Sequence, residues 1–68
     1  MDVHDKAKIL EWLHRSHTER DATQAACRFG VPWQDCENYL EELTAKGIVN
    51  RTWPGGRGLH PAYKLDRG

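Results

Sequence analysis

Residues 22–43 read ATQAACRFGVPWQDCENYLEEL, and the punctuation of this stretch decides the fold. Ala22, Ala25, Ala26 and Phe29 recur at helical spacing, so a short helix with one apolar side is expected up to Phe29. Asp21 precedes it, and its carboxylate can accept a hydrogen bond from the free backbone amide of Thr23 or Gln24. Gly30 ends it, as the residue that most readily takes up left-handed backbone after a helix. A further helix opens at Pro32 or Trp33, where proline is tolerated because first-turn amides have no intrahelical partner. Cys36, Tyr39 or Leu40, and Leu43 form its apolar row, and Gly47 supplies its stop.

Upstream, Val3, Ala7, Ile9, Leu10, Trp12 and Leu13 alternate with charged residues as the buried face of an amphipathic helix would. The polar residues 16–21 separate it from the Ala22 helix. Downstream of Gly47 the period changes. Ile48 to Trp53 and Ala62 to Leu65 carry β-branched and aromatic residues, with Pro54-Gly55-Gly56-Arg57-Gly58 between them, which predicts two strands and a glycine-rich turn. In strand geometry Val49, Arg51 and Trp53 share one face, as do Tyr63 and Leu65, so Trp53 is expected across from Tyr63. The expected order is three helices at about 3–16, 21–29 and 33–46, then a hairpin at about 48–65, in one α+β domain spanning 1–68.

The 68 residues, 38% hydrophobic and 29% charged, suit one small domain and leave no room for a large catalytic cleft. No apolar run approaches a signal-peptide core or a membrane span, so a cytoplasmic protein without membrane association is expected. Cys27 and Cys36 form no CxxC pair and are expected as free thiols, Cys36 in the core. His4, His14 and His17 lack the further ligands a metal site requires. No nucleophile triad, phosphate-cradling loop or positioned carboxylate pair is present, so neither enzymatic activity nor a cofactor is expected.

The segments Ala25-Ala26-Cys27-Arg28-Phe29-Gly30-Val31, Leu40 to Val49, and Arg57-Gly58 with Pro61-Ala62-Tyr63-Lys64-Leu65 together resemble a winged helix-turn-helix domain over almost the whole chain. That resemblance implies double-stranded DNA as the partner, with the third helix in the major groove, and a role as a transcriptional regulator or accessory factor. Carried over position by position, it places Trp33, Gln34, Glu37, Asn38 and Glu41 of the helix at the groove, while the positive charge of the hairpin and the glycines around Arg57 point to Arg57, supported by Arg51, His60 and Lys64, as the phosphate contact, with Arg28 also on backbone. Gln34 and Asn38 carry amides that can pair in bidentate fashion with adenine. Because no dimerisation helix follows the hairpin, binding as a monomer is expected to be weak unless the chain self-associates. The hairpin is also similar to that of Z-form nucleic-acid readers, but Glu37 and Glu41 stand where those carry an Asn and a Tyr.

Charge complicates the picture. The formal net charge is zero, yet residues 31–47 hold Asp35, Glu37, Glu41 and Glu42 against Lys46 alone, while residues 48–68 hold Arg51, Arg57, Lys64 and Arg67 against Asp66 alone. An anionic helix is repelled by a polyanion. The alternative is therefore a protein-docking module that presents Trp33, Glu37 and Glu41 to a basic partner.

Overall fold

The computed structural model describes residues 1–53 and 60–66. The chain forms α1 (Val3–Arg15), α2 (Ala22–Phe29), α3 (Trp33–Ala45), β1 (Val49–Thr52) and β2 (Ala62–Leu65). Three helices precede a two-stranded antiparallel hairpin, the α+β layout of a winged helix-turn-helix. No helix among the described residues is long and apolar enough to cross a membrane.

Local chemistry sets each boundary. Asp2 caps α1 by accepting from the Asp5 amide at 2.8 Å, and this bond holds its carboxyl below the ordinary range. At α2 the Asp21 carboxylate accepts from the Gln24 amide at 2.8 Å while the Gln24 side chain accepts from the Asp21 amide at 3.1 Å. This reciprocal pair satisfies two amides that the helix leaves orphaned. Gly30 closes α2 at φ 68°, in the left-handed region. Pro32 is the N-cap of α3 and contributes no side-chain bond. The other end of α3 closes through Gly47, whose amide donates to the Thr44 carbonyl, and Ile48, whose amide donates to that of Leu43. Those two bonds, with Gly47 at φ 77°, make a Schellman motif that turns the chain directly into β1.

The core forms where the elements converge. Ile9 and Leu13 of α1, Ala22 and Ala25 of α2, Cys36, Tyr39, Leu40 and Leu43 of α3, and Val49 and Tyr63 of the hairpin are buried together. The two alanines have no bulk to hold the backbone away, so α2 lies close against its neighbours. The first turn of α1 departs from the expected apolar face: Val3 is 79% exposed and Ala7 is also exposed. Burial on α1 is carried by its second half, where Ile9 and Leu13 lie four residues apart and Leu10 and Trp12 flank them, half-buried.

The hairpin register pairs Val49 with Leu65, Asn50 with Lys64, Arg51 with Tyr63, and Thr52 with Ala62. Tyr63 therefore faces Arg51, and the expected pairing with Trp53 does not form. The ladder ends at Thr52, one residue short of Trp53. A third strand position lies in the connection read from sequence as a polar loop. Arg20 and Tyr63 form an isolated antiparallel bridge, each amide donating to the other's carbonyl, at 2.8 and 2.6 Å.

The geometry at Gly30 yields a stability test. A Cβ placed there meets nothing within 4 Å, so the cost of a side chain is purely that of left-handed backbone. Gly30→Ala is expected to destabilise the domain by about 1 kcal/mol, lowering Tm by roughly 4–8 °C in thermal unfolding. Gly30→Asn should lose less, because asparagine visits this region more readily. Equal losses for the two variants would contradict the backbone explanation.

Candidate nucleic-acid interface

The face formed by α3 and the hairpin carries most of the residues selected from the sequence. Side chains four apart on a helix lie one above the other. Glu37 and Glu41 have that spacing, and they meet two residues that oppose each other across the strands, Tyr63 and Arg51. The spacing along the helix matches the cross-strand spacing of about 5 Å, so each acid finds its own partner. The Tyr63 hydroxyl donates to Glu37 Oε1 at 2.7 Å. The Arg51 guanidinium donates from one terminal nitrogen to both oxygens of Glu41, each at 2.7 Å.

Electrostatics follow from this arrangement. The Tyr63 side chain is wholly buried, and this desolvation raises its phenol far above the ordinary range. The hydrogen bond to Glu37 and the charges of Glu37 and Glu41 push the same way. The hydrogen bonds it donates to Glu41, with that residue's charge, hold Arg51 more firmly protonated than usual. Both members of the Arg51–Glu41 pair are partly exposed, so the pair sets orientation more than stability. Glu37 Oε2 is buried and has no hydrogen-bond partner among the described residues. Elsewhere on α3, Glu42 pairs with Lys6 at 3.9 Å and with Lys46 at 3.4 Å.

Near the amino end of α3, Asp35 is partly exposed and paired with the Met1 amino group at 3.8 Å, and the exposed polar groups beside it are Gln34 and Asn38. They hold one another, Gln34 Nε2 donating to Asn38 Oδ1 at 3.0 Å. Trp33 folds back across the turn. Its indole Nε1 donates to Thr23 Oγ1 at 3.2 Å, and its ring meets His60 edge-on at 5.2 Å between centroids. One half-buried ring thus joins the start of α2, the start of α3 and the hairpin. Lys64 is exposed on β2. Arg57 lies outside the described residues.

Arg28 is placed apart from this set. It lies with Phe29 in a separate groove that contains no residue of α3 or the hairpin. Trp53, expected to pack on Tyr63, is instead 50% exposed just beyond β1. The exposure of this ring could have been foreseen only from the register, which the alternating pattern leaves open. Cys36 is buried, and burial raises its thiol, whereas Cys27 is exposed. Among the described residues no group of three or more His, Cys, Asp or Glu side chains could hold a metal ion.

The chain matches no protein-family model and no curated protein sequence. What its α3 and hairpin face can do is therefore read from its own groups: exposed side-chain amides for hydrogen bonding, an exposed lysine, and a half-exposed indole.

The raised phenol gives a pH test. Above a pH of about 10 the unfolded chain releases its tyrosine protons while folded Tyr63 keeps its own, so stability falls as pH rises past that point. Tyr39 and Cys36 are also raised by burial and act with the same sign, but they are common to both proteins when Tyr63→Phe is compared with the parent chain. Urea midpoints measured from pH 8 to 11 are expected to fall less steeply in Tyr63→Phe. Parallel slopes would show that the phenol proton carries no linkage.

Proposed function

We propose that this domain binds double-stranded DNA through α3 and the hairpin, acting as a transcriptional regulator or accessory factor. The observation that supports this reading is the pairing of the α3 acids with partners within the chain. Glu37 is turned to Tyr63, Glu41 to Arg51, and Glu42 to Lys6 and Lys46. The ion pairs at Glu41 and Glu42 moderate the repulsion implied by the linear sequence, and the exposed groups at the helix start are the amides of Gln34 and Asn38, beside an Asp35 paired with the Met1 amino group. Gln34 and Asn38 exchange their mutual hydrogen bond for bidentate pairing with adenine in the major groove. Lys64 and Arg57 contact phosphate, His60 supports them, and Trp53 offers its exposed ring to the sugar edge. In this reading Arg51 neutralises Glu41 instead of reaching phosphate, and Trp33 positions the hairpin against α3 through His60.

The protein-docking alternative needs Trp33, Glu37 and Glu41 presented to a basic partner. It is supported less, because all three side chains are occupied within the chain.

The test is an amide chemical-shift titration with a mixed-sequence duplex at low and then moderate salt. Shifts at Gln34, Asn38 and Lys64 that fade as salt is added are expected. Lys64→Ala should weaken binding uniformly across sequences and reduce the logarithmic salt slope by about one. Absence of shifts at low salt, where phosphate attraction is strongest, would remove the DNA reading.

A further inference from the structure

Away from α3 and the hairpin, α1 and the end of α2 enclose a groove of about 390 Å³. Its aromatic wall is Trp12 and Phe29, packed edge-to-face with centroids 5.7 Å apart. Both rings are only half-buried. Three guanidinium groups, Arg15, Arg20 and Arg28, line the groove against one carboxylate, Glu11. Glu11 is already bound to Arg15 at 2.7 Å, so Arg20 and Arg28 are left with no carboxylate partner among the described residues.

Arg20 is also held in place. Its backbone is tied into the bridge with Tyr63. Its Nε donates to Ser16 Oγ at 3.0 Å, and Ser16 Oγ in turn donates to the Trp12 carbonyl at 2.7 Å. The guanidinium carbon lies 5.3 Å from the centre of the Trp12 ring. These contacts leave both terminal nitrogens of Arg20 for a ligand, with its rotamer already selected. A fixed guanidinium fork presents parallel donors to a planar oxyanion, and prior immobilisation removes the ordering cost of capture. Arg28 adds a second guanidinium beside Phe29, at 5.7 Å from that ring.

We propose that this groove is a docking site for an acidic protein segment whose carboxylates reach Arg20 and Arg28 while a neighbouring apolar side chain lies on Trp12 and Phe29. Two features favour a peptide over a nucleic-acid backbone. The groove is open and shallow, and its volume of about 390 Å³ is that of a few partner side chains. Its centre combines tryptophan, phenylalanine and arginine, the composition concentrated in protein interfaces. This site shares no residue with the α3 and hairpin face, so a DNA-bound domain keeps it open to a second partner.

The test uses the isotope-labelled full chain and the terminally blocked peptide Asp-Glu-Leu-Asp-Glu, with Asn-Gln-Leu-Asn-Gln as the uncharged control, at physiological ionic strength. Saturable shifts of the Trp12 indole N–H and the Arg20 and Arg28 side-chain N–H resonances are expected with the acidic peptide alone. Arg28→Gln, an exposed substitution, should weaken binding about tenfold, as loss of one charge-assisted hydrogen bond would. Arg20→Lys, which keeps the charge but loses the fork, should weaken it comparably. No saturable shift, equal shifts with the control, or undiminished binding by Arg28→Gln would overturn the proposal. So would displacement of the peptide by duplex DNA with the shifts moving to the same arginines, since the groove would then belong to nucleic acid. Because the DNA titration reads Gln34, Asn38 and Lys64, either proposal can fail without the other.

Discussion

The buried ring of Tyr63 is the point at which the chain is tied together. Its backbone exchanges hydrogen bonds with Arg20 between α1 and α2, its strand position faces Arg51 on β1, and its hydroxyl reaches Glu37 on α3. Three separate stretches of sequence are thereby referred to one residue. A phenol suits the position because it brings a large apolar body for the core and a single polar tip that must find an acceptor when buried. In a chain this short, where burial per residue is limited, one such residue orients the hairpin on the helices that a larger core would otherwise hold.

The second organising feature is the conversion of charge segregation along the chain into charge matching in space. Residues 31–47 are acidic and residues 48–68 basic, which in isolation describes a dipole. Folding brings Arg51 onto Glu41, while Lys6 from α1 and Lys46 at the C-cap of α3 both reach Glu42. Exposed pairs of this kind add little to stability. Their effect here is on surface character, because they change which groups α3 shows to a partner. Among the described residues, the arginines without a carboxylate partner, Arg20 and Arg28, lie instead between α1 and α2, around Trp12 and Phe29.

Much of the architecture was legible from local signals. Asp21, Gly30 and Gly47 are residues whose side chains or freedom of φ act within one turn, so their roles do not depend on distant contacts. The apolar rows of α2 and α3 were legible for the same reason, as was the burial of Cys36. The Arg20–Tyr63 bridge was not. A single bridged pair produces no alternation, and the residues around Arg20 are polar. Nor was the position of Trp53, because a slip of register by two residues preserves every face while changing each partner. Of the candidate site, the helix positions Gln34 and Asn38 could be placed by counting along α3. The fate of Glu37, Glu41 and Arg51 could not, since it depends on how the sheet is set against the helix.

The sequence by itself determined the number and order of the elements, the caps of α2, the stop of α3 and the apolar rows of those two helices, because these arise from interactions within a few residues. Only the tertiary structure decided which charges cancel, that Trp33 turns back onto Thr23 and His60, and that three arginines converge on Trp12 and Phe29. Those outcomes join residues far apart in the chain, and their energies depend on distances and burial that exist only once the helices and the hairpin have packed.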